Sequence, residues 1–238
     1  LANGTFRFDW TPTERGIYNV YAKAFDNDGK INRTAGVWIT VHTNNTTFES
    51  AVVQGSDDAE QYSSGTLNTT SSTLDLTDDI GGGQLNQIVG IRFANLGIPQ
   101  GATIVRAYIQ FSSNGTSSGA SNLNISIQDN ANSPTFSGSG NITSRPLISG
   151  SISWLPPAWS SSGQAGVNQQ TPNLASLLQQ VVNKAAWAPG NAAVFVISGT
   201  GQRIAQSYET GVPPRLVVEY SLNGNNFPGN LQVQVNSS

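Results

Sequence analysis

The chain has 238 residues and a net charge of −3, and only 11% of its residues are charged, against about a quarter in an average globular protein. That weak acidic balance argues against nucleic acid or an anionic membrane surface as a partner. With no cysteine, the chain can form neither a disulfide framework nor a thiolate metal site.

No apolar run approaches the roughly 20 residues of a membrane-spanning helix, so membrane insertion is not expected. No signal segment is evident. The chain begins at Leu1 and lacks methionine, which reads as a processed N-terminus or a fragment. Ser, Thr, Asn, Gly and Gln take the place of charge on the surface, and the expected location is extracellular or at a cell surface. Nine N-x-S/T sequons are present. Asn3, Asn32, Asn44, Asn45, Asn68, Asn114, Asn141 and Asn236 are the glycosylation candidates. Asn124 is set aside because it lies inside a strand pattern.

Residues 1–43 carry three strand signals. Phe6, Phe8 and Trp10 alternate, as do Tyr18, Val20, Ala22 and Ala24, and then Val37, Ile39 and Val41. Period-2 alternation marks a half-buried strand. Between the second and third signals, Asp26-Asn27-Asp28-Gly29 reads as a turn. Ca²⁺ ligation by Asp26 and Asp28 is the alternative. The run G-x-Y-x-V-x-A-x-A-x-D-x-D-G, with Trp-x-Pro before it, resembles the second half of a bacterial Ig-like domain. Three strands cannot close an Ig sandwich, which needs about seven. A polar linker, residues 44–47, follows. His42, the single histidine, has no second ligand type beside it and does not suggest a transition-metal site.

From residue 48 to 222 the pattern is many short strands with Gly, Asn and Ser punctuation, which predicts an antiparallel sandwich. Strands are expected at 50–54, 59–62, 73–76, 87–94, 103–112, 122–128, 151–154, 192–198, 203–207 and 215–220. The 87–111 stretch is the strongest. Val89, Ile91, Phe93, Val105, Ala107, Ile109 and Phe111 are expected on the inner faces, around a turn that holds Pro99 and Gly101. One helix is expected, capped by Thr171 with Pro172 at its first position. Its apolar stripe is Leu174, Leu177, Leu178, Val181 and Val182.

The segments VQGSDDAEQ (53–61), STLDL (72–76), QIVGIRF (87–93), IPQGATIVRAYIQF (98–111), ISW (152–154), NKAAWAPGNA (183–192) and SGTGQRIAQSYE (198–209) resemble, in order and spacing, a family of jelly-roll modules of large secreted bacterial proteins. A weaker similarity extends to carbohydrate-binding modules. The resemblance implies an all-β, jelly-roll-like antiparallel β-sandwich with one short helix, behind a partial Ig-like module. It also implies a non-catalytic role, in some members polysaccharide binding.

Candidate sites follow from residue type. Asp57 and Asp58, and Asp78 and Asp79 before Gly81–Gly83, are candidate ligands of a structural Ca²⁺; no other cofactor is indicated. Paired carboxylates can also hydrolyse glycosides, but these pairs sit at turns. There is no G-x-S-x-G elbow and no relay for the lone histidine, so the chain does not read as an enzyme. Trp159, in the loop SWLPPAWSSSG, is a candidate stacking platform for a sugar ring. Arg203, Tyr208 and Glu209, near the Gly-rich turn 199–201, are candidates for a polar cluster with Asp57 or Asp58, by default a structural ion pair.

Residues 223–238 read as a flexible linker followed by the alternating strand Leu231, Val233, Val235. A spare strand at one end and too few at the other suggest self-association, with the tail of one copy completing the module of the next in a homo-oligomer or filament. A longer chain of repeats is the alternative. The functional expectation is a structural or adhesive surface subunit, with a polysaccharide-binding module as runner-up.

Overall fold

The computed structural model describes residues 10, 16–41 and 45–222. It divides into a small unit containing residues 16–41 and a large unit, Asn45–Ser221.

The small unit is a long hairpin of β1 (Gly16–Val20), β2 (Lys23–Phe25), β3 (Ile31–Arg33) and β4 (Val37–Val41), with β1 antiparallel to β4 and β2 to β3. Between the two pairings, Tyr21 and Ala22 face Thr34–Gly36, so one extra residue bulges from the second arm. At the tip, the Asp26 carboxylate accepts the amides of Asp28 at 3.0 Å and Lys30 at 2.8 Å. Gly29 takes a left-handed φ of +79°. This is an ordinary side-chain-capped turn. Pairing puts Tyr18, Val20, Val37 and Ile39 on one face and Ile17, Asn19, Trp38 and Thr40 on the other. Trp10 packs edge-on against Tyr18, with ring centroids 4.8 Å apart. The strand expected at Phe6 and Phe8, and the tail strand Leu231, Val233, Val235, lie outside the described residues.

The large unit is an all-β antiparallel sandwich with one short helix. Its strands are β5 (Thr46–Ala51), β6 (Asp58–Gln61), β7 (Leu67–Asn68), β8 (Thr73–Asp75), β9 (Ile88–Leu96), β10 (Thr103–Gln110), β11 (Asn122–Ile127), β12 (Ile152–Trp154), β13 (Asn191–Thr200), β14 (Ile204–Gln206) and β15 (Arg215–Ser221). One sheet has six strands in the order β12-β11-β13-β9-β6-β7, the other three in the order β10-β15-β5, and β14 pairs with β8. The core lies between the two larger sheets. Val89, Ile91, Phe93, Leu123, Ile125 and Phe195 come from one, and Ala107, Ile109, Phe111, Leu216 and Val218 from the other.

Val105 departs from its expected inward position. It is 42% exposed, while Ile104 is buried. A β-bulge between Ile104 and Arg106 displaces the register against β15 and reverses the alternation at that point.

The helix α1 (Ala175–Val182) starts later than expected. Thr171 does not cap it as expected; Asn173 Oδ1 accepts the amide of Ala175, the first helical residue. Thr171 Oγ1 accepts the amide of Ile109, Asn173 Oδ1 accepts that of Ala107, and Gln179 Oε1 accepts that of Ile104. These side chains clothe the outer edge of β10, whose unpaired amides would otherwise invite another strand. Leu174, Leu177, Leu178, Val181 and Val182 are buried in the core, as their spacing predicts.

The loop between Asp129 and Ser144 is more than a polar connection. Its Phe136 and Ile142 cover the outer face of β6 and β13 with Ala59, Val194 and Val196. Gly90 makes room for it, since a Cβ there would come within 2.5 Å of Phe136. Buried Arg145 pins the loop by donating to Gln128 Oε1 and to the carbonyls of Pro134, Thr135 and Asn141, with its guanidinium 4.4 Å from the Phe136 ring centroid.

Candidate functional site

Asp58 and Glu60 alternate on β6, so they share a face. Their partners on β9 are Ile91 and Val89, which places both carboxyls on the core side of the six-stranded sheet. Both are almost fully buried. Asp58 Oδ2 accepts the Tyr208 amide at 2.8 Å, while its Oδ1 has no hydrogen-bond partner among the described residues. Glu60 Oε1 accepts the Asp75 amide at 2.6 Å and Gln87 Nε2 at 3.2 Å. Gln87 also donates to the Asp75 carbonyl at 2.7 Å, and its own Oε1 is unpartnered among the described residues.

Removal from water disfavours a carboxylate more than its neutral acid. Burial pushes Asp58 up to about 7; the charges of Glu209 and Asp57 add to this and the Tyr208 amide opposes it. Burial pushes Glu60 up to about 8; the Asp75 amide opposes this and the charges of Asp75 and Asp79 add to it. Burial also raises Asp75, whose carboxylate accepts from Thr73 Oγ1 and Gln202 Nε2.

The other candidate acids do not join this row. Asp57 is fully buried and held by both of its oxygens to Arg92 Nη1, at 3.0 and 2.9 Å, with Thr135 Oγ1 donating at 2.8 Å. Asp78 accepts the amides of Asn86 and Gly201, and Asp79 that of Gly82. Among the described residues no three acidic or histidine side chains converge on a metal-sized site. Neither the Asp57 and Asp58 pair nor the Asp78 and Asp79 pair is part of such a group. These carboxylates serve an ion pair, loop amides and a buried edge.

Trp159 is not a platform. It is fully buried, and its Nε1 donates to the Asn168 carbonyl at 3.0 Å. An antiparallel backbone bridge between Ser117 and Trp159 holds it there. Trp159→Ala should therefore destabilise the large unit by about 3–5 kcal/mol. A chemical-denaturation curve with an unchanged midpoint would show the burial to be wrong.

Arg203 is buried too, and it meets neither Asp57 nor Asp58. Its guanidinium donates to the carbonyls of Pro156, Pro157, Gly119 and Gln202. No carboxylate pairs with it among the described residues. Burial lowers its pKa from the ordinary arginine value. Tyr208 contributes its amide to Asp58, while its side chain is partly exposed.

The sequons separate by accessibility. Asn32 is exposed on β3. Asn124 is in a strand as expected, yet on the exposed outer side of β11. The amides of Asn45, Asn68 and Asn114 donate to Glu219, Tyr62 and the Ser72 carbonyl. Asn141 Oδ1 accepts from the Ser137 amide and Arg145. Asn3, Asn44 and Asn236 lie outside the described residues.

Two open clefts lie among the described residues. One, of about 390 Å³, is lined by Thr66, Leu67, Thr69 and residues 136–139. The other, of about 310 Å³, lies on the hairpin and is lined by Asn19, Tyr21, Arg33, Thr34, Ala35 and Gly36. Sequence reasoning missed Gln87, Lys23 and Arg33. The hairpin turn at Asp26–Gly29 was the available signal for the last two, since counting outward from it places them opposite one another. Among the described residues no helix is long and apolar enough to cross a membrane.

No protein-family model matches the chain, and no curated protein matches it.

Proposed function

We propose that the chain is a non-catalytic structural or adhesive subunit of an extracellular surface assembly, joined to its own copies by strand addition at the hairpin. The observation that carries this reading is a contrast between sheet edges. In the large unit, β10 is clothed by polar side chains, β7 and β12 have two and three residues, and β5 carries the exposed Glu49–Arg215 ion pair. Short or charged edges resist pairing. In the hairpin, β1 and β4 each run for five residues and have no third strand among the described residues. An isolated hairpin is marginal in water. Its Tyr18–Val20–Val37–Ile39 face offers an apolar surface that an added strand and a completed sheet would bury.

The alternating segment Leu231, Val233, Val235, behind a Gly- and Asn-rich linker, is the proposed donor. The surface location is supported by low charge and abundant sequons, and kinship with secreted jelly-roll modules by the segments quoted above. The non-catalytic reading is supported by the carboxyls with raised pKa being sealed from solvent. A carbohydrate-binding module is the second reading. It no longer has Trp159 as a platform, and the observation favouring it is the exposed Trp38 of the hairpin.

Sedimentation velocity tests strand addition. The full chain should form larger species as its concentration rises, and deletion of residues 227–238 should leave monomers. A full-length chain that stays monomeric at high concentration overturns the proposal.

A further inference from the structure

We propose that the face of the hairpin bearing Lys23, Arg33 and Trp38 binds an acidic polysaccharide, a chain of sugar rings bearing carboxylates. The site uses the face opposite the Tyr18–Ile39 face, so it stands or falls separately from strand addition.

Three observations converge there. Lys23 and Arg33 sit directly opposite each other across β2 and β3. Like charges in that position repel and weaken a hairpin. Neither has a carboxylate partner among the described residues, and of the two acids in the turn, Asp26 and Asp28, the first is engaged by backbone amides. Both cations instead gather at Tyr21, with Lys23 Nζ 5.6 Å and Arg33 Cζ 5.4 Å from its ring centroid. A ligand anion between them would supply the missing counter-charge.

Beside the cations lies the cleft of about 310 Å³, whose lining includes the neutral hydrogen-bonding side chains of Asn19 and Thr34. Directly opposite Asn19 on β4 is Trp38, on the same face and 69% exposed. A large aromatic side chain left in water is costly unless something covers it. The face therefore offers a flat apolar surface, amide and hydroxyl partners, and a paired positive charge, along one strand direction. That combination fits a ring with hydroxyls and a carboxylate. An acidic peptide would use the cations and leave Trp38 idle.

The test is retention of the full 238-residue chain on immobilised polygalacturonate, with a neutral glucan and poly-glutamate as comparison supports. Retention on polygalacturonate is expected at low salt and should weaken as salt screens the cations. The double variant Lys23→Gln/Arg33→Gln should lose about tenfold or more in affinity. Lys184→Gln/Arg215→Gln, which changes net charge equally in the large unit, should not. Trp38→Ala should lose retention and Trp38→Tyr should keep most of it, which separates stacking from loss of the hairpin. Three results would each overturn the proposal: no retention of the wild type on polygalacturonate, equal retention of the Lys23/Arg33 double variant, or equal retention on poly-glutamate.

Discussion

The large unit should lose stability as the pH is raised from about 5 to about 9, the reverse of ordinary acid denaturation. Asp58 and Glu60 have folded pKa values pushed up to about 7 and about 8 from ordinary values of 3.8 and 4.5. Between the unfolded and folded values the native state therefore holds more protons than the unfolded chain. Where that is so, unfolding free energy falls as pH rises. The stabilising contribution is complete below about pH 4 and is lost as pH climbs through about 7 and 8. At roughly 1.4 kcal/mol per pKa unit, each carboxyl contributes about 4 kcal/mol across the window.

The groups facing the row give no relief at high pH. Asp57, Asp75, Asp79 and Glu209 are all acidic, and Arg92, the nearest cation on β9, is held by Asp57. Two such losses approach the whole stability of a typical domain. Urea midpoints across this pH range would show the slope. Asp58→Asn should remove its share of the slope up to about pH 7, and Glu60→Gln its share up to about pH 8, so that between about 7 and 8 only Glu60→Gln flattens the curve. A wild-type midpoint that rises steadily from pH 5 to pH 9 would show that these carboxyls are not buried as described.

Arg203→Met is expected to be the most damaging single substitution in the unit, at roughly 4–8 kcal/mol. The reasoning concerns what is left behind. Four backbone carbonyls, at Gly119, Pro156, Pro157 and Gln202, depend on one guanidinium. Each buried acceptor left unpaired costs about 1–3 kcal/mol. Arg203→Lys should recover only part of this, because an ammonium has three donors on a point and cannot reproduce a planar fork. The same loop carries Trp159, whose core position depends on the Pro156–Pro157 backbone that Arg203 holds. Loss of Arg203 should therefore also shift tryptophan fluorescence toward a solvent-exposed signal before global unfolding. If Arg203→Met melted with the wild type, the carbonyl cluster would have to be solvated in solution.

Most of the sandwich was legible in alternation. Strands β6, β8, β9, β11, β12, β13, β14 and β15 fall close to the segments read from period-2 patterns. The failures have local physical causes. At Ile104-Val105 two adjacent apolar residues let either face inward, and only pairing with β15 decides where the bulge goes. Thr171 and Pro172 look like a helix start, but the unpaired edge of β10 claims the Thr171 side chain first. The loop around Trp159 holds no period, so its direction is set by Arg203, distant in sequence.

Asp58 and Glu60 illustrate the same limit at the candidate site. Their alternation with Ala59 was visible, but their position opposite Ile91 and Val89 follows from sheet order, which single-strand patterns do not carry. Asp57 and Asp58 thus prove to be buried and separately partnered, while Asp78 and Asp79 are half-buried and accept loop amides. The hairpin was the most legible piece, from the Asp26–Gly29 turn outward. The charges placed opposite each other appear only once the register is known.

The central claim is that the hairpin edge is completed by a strand from a second copy. Hydrogen exchange of the Gly16–Val41 amides, measured across a concentration series, addresses this edge alone. Protection in β1 or β4 should rise with chain concentration and should vanish when residues 227–238 are deleted, while protection in β9 and β13 stays constant. Hairpin amides whose exchange does not change with concentration, in the full chain and the deletion alike, would contradict it.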